Sequence, residues 1–83
     1  MRRNRNQDYI KAFGKHLKKL RTSKELTQEE LCYRSGLQLS HLGRIERGER
    51  TLTLPTIYIL ATALEVEPKK MLDFKFKAKK END

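Results

Sequence analysis

The sequence predicts an all-α fold, a compact domain of five short helices, and three observations predict it. Apolar residues recur at steps of three and four, the spacing of one helix face. Thr, Gly and Pro fall where helices start and stop. No strand-like alternation of useful length and no internal repeat is present. The chain has 83 residues and makes one domain. Its core is thin, because a chain this short buries only about 60% of its unfolded surface.

The first helix is expected over about 8–23. Tyr9, Ile10, Phe13, Leu17 and Leu20 form its apolar stripe, and Lys11, Lys15, Lys18 and Lys19 make the outer face basic. The second is expected over 28–35. Thr27 lies three residues before Glu30, the spacing of a capping box, and Leu26 and Leu31 have the spacing of a hydrophobic staple. Gly36 stops this helix. The third runs over about 38–47 and stops at Gly48, with Leu42, Ile45 and Glu46 inward. The fourth spans about 54–64, with Pro55 in its first turn and Leu54, Ile57, Leu60, Ala61 and Leu64 as its apolar residues. Pro68 opens a last short helix through Met71, Leu72 and Phe74. Residues 1–7 read as a basic arm, 8–74 as the domain, and 75–83 as a charged tail expected to fray.

The net charge is +8. Residues 1–25 carry nine basic and two acidic side chains, so +7 of it lies at the N-terminal end. This asymmetry fits a polyanionic partner as well as a solvated face. No stretch approaches the ~20 apolar residues of a membrane span. No apolar run follows Arg2-Arg3-Asn4-Arg5, so the start does not read as a signal peptide. The single cysteine, Cys32, excludes an internal disulfide and a Cys-based zinc site. These features fit a cytoplasmic protein. His16 and His41 stand on different helices without further ligands at metal spacing, so no metal site is expected. No nucleophile–base pair and no Gly-rich phosphate loop is present. The chain does not read as an enzyme, and no cofactor or small-molecule ligand is expected.

Two short helices joined across Gly36, the second with an uncommitted outer face, make a helix-turn-helix. Three runs carry a family resemblance: Leu26-Thr27-Gln28-Glu29-Glu30-Leu31, Ser35-Gly36-Leu37, and Leu42-Gly43-Arg44-Ile45-Glu46-Arg47-Gly48. Together with Thr53 to Val66 they resemble the lambda-repressor/Cro-type (Xre-like) helix-turn-helix DNA-binding family over about residues 10–72. The loop Arg50-Thr51-Leu52-Thr53 and the triplet Leu64-Glu65-Val66 are similar to the controller proteins of restriction–modification systems within it. Most members have Gly where Glu65 stands, which questions how tightly the fourth helix ends.

The resemblance implies a sequence-specific transcriptional regulator that binds double-stranded DNA as a homodimer. The third helix would then be the recognition helix. At 3.6 residues per turn, Leu39, Ser40, Gly43, Arg44 and Arg47 share one arc, opposite Leu42, Ile45 and Glu46. Arg44 can donate twice to guanine O6 and N7. Ser40 can bond to several base edges. Leu39 either touches a thymine methyl or packs sideways on the second helix. Gln38 caps the helix and reaches a base or phosphate.

Backbone contacts fall to Thr27, Gln28, His41, Arg47 and Arg50, with Gln28 in the first helical turn, where anions are attracted. Gly43 costs about 1 kcal/mol against Ala and admits close approach either of the second helix or of DNA. Arg2, Arg3 and Arg5 either follow the DNA as an arm or form a basic tail. Arg21 and Glu46 match family positions that form a buried ion pair. Leu52, Tyr58 and Ile59 extend the apolar surface of the fourth helix and are expected to make the dimer. The competing reading is an antitoxin-type protein-interaction module whose DNA binding is autoregulatory. An RNA- or coactivator-binding module is a third.

Overall fold

A computed structural model describes residues 5–77. Among the described residues are four α-helices, one 3-10 segment and no strand: α1 (Arg5–Ser23), α2 (Gln28–Ser35), α3 (Leu39–Glu46), α4 (Leu54–Leu64) and the 3-10 segment Pro68–Leu72. The expected fifth α-helix is therefore a 3-10 turn. Its backbone closes i→i+3, with the Lys70 N–H on the Glu67 carbonyl at 2.9 Å. Five residues behind a proline are too few for an i→i+4 ladder to pay off. His16 also takes the Lys70 carbonyl at 2.7 Å. α1 begins at Arg5, three residues before the expected start, and takes in the last residues assigned to the arm.

Leu17, Leu31, Leu42, Ile45, Leu60, Leu64 and Met71 are fully buried, and each helix supplies at least one of them. At about 1.5–3 kcal/mol per buried aliphatic side chain, these seven dominate the stabilisation. The C-terminal segment is held to α1 by aromatic contacts. Phe74 lies 5.3 Å from the Tyr9 ring, and Phe76 meets Tyr9 edge-on at 5.0 Å. Phe76, read as part of a fraying tail, is thus itself packed on α1. Burial also pushes the Cys32 thiol up, away from the reactive thiolate.

The helix ends follow one scheme. α1, α3 and α4 close with Schellman motifs, in which the residue after the left-handed one donates back five positions. The bonds are Leu26 N–H to the Arg21 carbonyl at 3.2 Å, Glu49 to Arg44 at 2.8 Å, and Val66 to Ala61 at 3.0 Å. Gly48 takes the left-handed position after α3 and Gly36 the one after α2. After α1 and α4 that position falls to Glu25 and Glu65, each with φ of 60°. The α4 end is therefore as tight as a glycine would make it, at a backbone cost of about 1–2 kcal/mol.

At the start of α2 the capping box forms. The Glu30 N–H donates to Thr27 Oγ1 at 3.0 Å, and the Thr27 N–H donates to the Glu30 carboxylate at 2.7 Å. The Thr27 N–H, with the Thr27 hydroxyl beside it, holds the Glu30 carboxyl below its usual range. Its contribution is present above the unfolded-state value and is lost as pH falls through the lowered folded one.

Candidate nucleic-acid interface

The recognition surface is built from α2, α3 and the loop behind them. Leu42, Gly43, Ile45 and Glu46 of α3 are buried, so Gly43, expected on the outer arc, is covered, while the rest of that arc points outward. Leu39, Ser40, Arg44 and Arg47 are accordingly exposed, Leu39 by 44%. His41, at the margin, is half-buried. Gln38 occupies the N-cap position, but its side chain makes no capping hydrogen bond, contrary to expectation. Arg47 is braced by Glu49 at 3.1 and 3.3 Å, an exposed pair that lowers the Glu49 carboxyl. Arg50 is exposed beyond the helix and lines a shallow groove with Tyr9, Ile10 and Leu52.

Gly43 resolves differently from Gly14. A Cβ at Gly43 would meet only the Arg47 guanidinium, at 3.1 Å, and no atom of α2 lies within 4 Å. The second helix therefore does not require a glycine there. Gly14 does what Gly43 does not. A Cβ on it would lie 2.5 Å from the Ile45 carbonyl oxygen and 2.6 Å from that of Glu46. The α1 backbone thus rests directly on the C-terminal turn of α3. Sequence reading missed this residue, although a lone Gly inside an amphipathic helix is its signal.

Beneath the surface lies a buried polar cluster. Arg21 donates from Nε to Glu46 Oε2 at 2.6 Å and from Nη2 to Oε1 at 2.9 Å, a bidentate pair. Both residues are more than nine-tenths buried. The Arg21 Nη1 also donates to the Leu26 carbonyl at 2.8 Å, just ahead of the α2 cap. Hydrogen bonding to Glu46 raises the Arg21 pKa further. Gln28, half-buried, donates from Nε2 to Glu46 Oε1 at 3.0 Å. Thr27 spends its hydroxyl lone pair on the cap, while the N–H groups of Gln28 and Glu29 have no backbone acceptor. Such open N–H groups at a helix start are an anion-binding arrangement.

On α4, Tyr58 and Ile59 are 62% and 40% exposed and share a groove with Arg34, Thr62 and Ala63. Leu52 does not join them. It is half-buried against the core and lines the separate groove that holds Tyr9 and Ile57. Leu54 joins them in exposure at 76%, one turn before Tyr58. Arg2 and Arg3 lie outside the described residues, and of Arg5 only the backbone is described.

A helix-turn-helix family profile matches residues 17–71. The chain belongs to the helix-turn-helix family of DNA-binding transcriptional regulators. Helix-turn-helix relatives include an uncharacterized HTH-type transcriptional regulator, y4dJ, of Sinorhizobium fredii. It is 46% identical over 59 residues, which cover 71% of this chain and 77% of the relative. Among solved structures, the restriction-modification controller protein C.AhdI from Aeromonas hydrophila superposes with a TM-score of 0.72 at 48% identity. That match covers 77% of this chain and 96% of C.AhdI. The controller protein C.Esp1396I, solved as a tetramer in complex with its natural 35-base-pair operator, superposes with a TM-score of 0.68 at 30% identity. It covers 78% of this chain and 96% of that one. No helix among the described residues is long and apolar enough to cross a membrane.

Proposed function

We propose that this helix-turn-helix protein is a cytoplasmic regulator of the restriction–modification controller type. It binds a two-fold operator in double-stranded DNA as a homodimer, with α3 in the major groove and no catalytic role. The observation that carries this reading is the division of α3 into a fully committed arc and a free one. Leu42, Ile45 and Glu46 anchor the helix, and Gln38, Leu39, Ser40 and Arg44 remain to meet base edges. Thr27, Gln28, His41, Arg47 and Arg50 flank that arc and take phosphates. The similarity to C.AhdI supports the controller type, and that to the C.Esp1396I tetramer in complex with its operator supports the DNA and an assembly of copies.

Two variants separate base reading from backbone binding. Arg44→Ala is expected to weaken the cognate site and relax preference at one base pair by roughly 1–3 kcal/mol, whereas Gln28→Ala weakens all duplexes about equally. Selection from random duplex DNA followed by titration of both variants measures this. Uniform loss by both would reduce Arg44 to a phosphate contact. Affinity of the unmodified protein falls steeply with salt, because a basic dimer displaces many counterions.

The dimer is formed by the exposed strip on α4. Tyr58 and Ile59 lie on this strip, Leu54 extends it, and Leu52 stands apart from it. Such a patch meets its own copy across a two-fold axis. The axis sets two α3 helices about 34–36 Å apart, one helical turn of DNA. Ile59→Asp is expected to sediment as a folded monomer and to bind the operator more weakly. A variant that remains dimeric with normal binding would place the interface elsewhere.

A further inference from the structure

Glu46 carries more than the ion pair. Its carboxylate is buried and immobilised by two bonds from Arg21, and the same Oε1 that takes Arg21 Nη2 also takes the Gln28 amide. A carboxylate paired with Arg only accepts, so the Gln28 nitrogen, and not its oxygen, must face it. One amide hydrogen is thereby fixed on Glu46, and the planar amide dictates the direction of the other. Among the described residues, no other polar partner holds the Gln28 side chain. The open N–H groups of Gln28 and Glu29 lie at the same helix start.

We propose that Glu46 is a positioning residue for DNA: it holds Gln28 so that the second amide hydrogen is presented, beside the open N–H groups of α2, to a backbone phosphate. This rests on the phosphate contact assigned to Gln28 above. Free in solution, a Gln side chain samples many rotamers, and binding would have to order it. Here the ordering is done on folding, by an acceptor on α3 that is itself held from α1. Preorganisation of this kind raises affinity without adding a contact. It also ties the phosphate contact of α2 to the helix that reads bases. The Arg21 charge balances that of Glu46, so the carboxylate can stand behind a phosphate site.

The test is a double-mutant cycle on the full chain, read as affinity for a short duplex of arbitrary sequence at fixed salt. Glu46→Asp keeps a carboxylate charge opposite Arg21 but, one methylene shorter, draws its oxygens back from both Arg21 and Gln28. Gln28→Ala is expected to weaken binding about tenfold in the unmodified protein, the size of one charge-assisted hydrogen bond. In the Glu46→Asp background it should cost only about twofold. Equal losses in both backgrounds would overturn the positioning role and leave the phosphate contact standing. No loss in the unmodified protein would overturn both. A second readout does not need the Asp variant to fold. The Gln28 side-chain amide of the free protein should give two dispersed hydrogen resonances and a rigid order parameter. Averaged, flexible resonances there would overturn the proposal.

Discussion

Glu46→Gln is expected to destabilise the domain by about 3–5 kcal/mol, the cost of breaking a buried pair from one side. Glu46 serves two Arg21 nitrogens and one Gln28 nitrogen with two oxygens. The isosteric amide offers a single oxygen and turns its NH₂ toward donors. At least one donor, and the Arg21 charge, is then left without an acceptor in a place closed to water. An exposed pair such as Arg47–Glu49 would cost at most about 1 kcal/mol on the same treatment. Domains of this size hold only about 0.05–0.15 kcal/mol per residue, so the variant sits near its unfolding limit. Thermal melting should show the loss, at roughly 4–8 °C per kcal/mol. Replacing Arg21 and Glu46 together by methionine should recover much of it, since no charge is then stranded. An unchanged melting temperature in Glu46→Gln would mean that the pair is solvated.

Gly14→Ala should be the next most damaging change, and its sign is the instructive part. In an isolated helix the substitution gains about 1 kcal/mol. In this fold the new methyl meets the carbonyl oxygens of Ile45 and Glu46 at 2.5 and 2.6 Å, and both are backbone atoms that cannot rotate aside. α1 and α3 would have to part, and the Arg21–Glu46 pair crosses that same seam. Overpacking of this kind costs about 3 kcal/mol even after the propensity gain. A melting temperature lower by roughly 15 °C is expected. A rise would show that the two helices do not touch there. Duplex affinity should fall along with stability, because the seam carries the residue that holds Gln28.

Both predictions concern contacts between helices, and this divides what was legible in the sequence from what was not. The bounds of α2 and α4 follow from Thr27, Glu30, Gly36 and Pro55, and the structure places them at the same residues. Capping is a matter of three or four neighbours, so a local pattern contains it whole. Periodicity likewise puts Leu42, Ile45 and Glu46 of α3 and Leu60, Ala61 and Leu64 of α4 on buried faces, but it misses Gly43 and Ala63 and puts Leu54 in the apolar set. The Arg21–Glu46 pair, 25 residues apart, was legible only through family resemblance.

Tertiary structure decided the rest. It turned the last helix into a 3-10 segment, because packing on α1 outweighed any helical preference of five residues. It imposed left-handed backbone on Glu25 and Glu65, where the chain must reverse regardless of side chain. It placed Leu52, expected at the dimer surface, in the core margin, and it left Leu54, expected among the apolar residues of the fourth helix, exposed. It joined Gln28 to Glu46, and it made Gly14, not Gly43, the glycine that two helices need. Each of these depends on the crossing of helices distant in the chain. That crossing is fixed by the summed shape of the core, and no local spacing of residues encodes it.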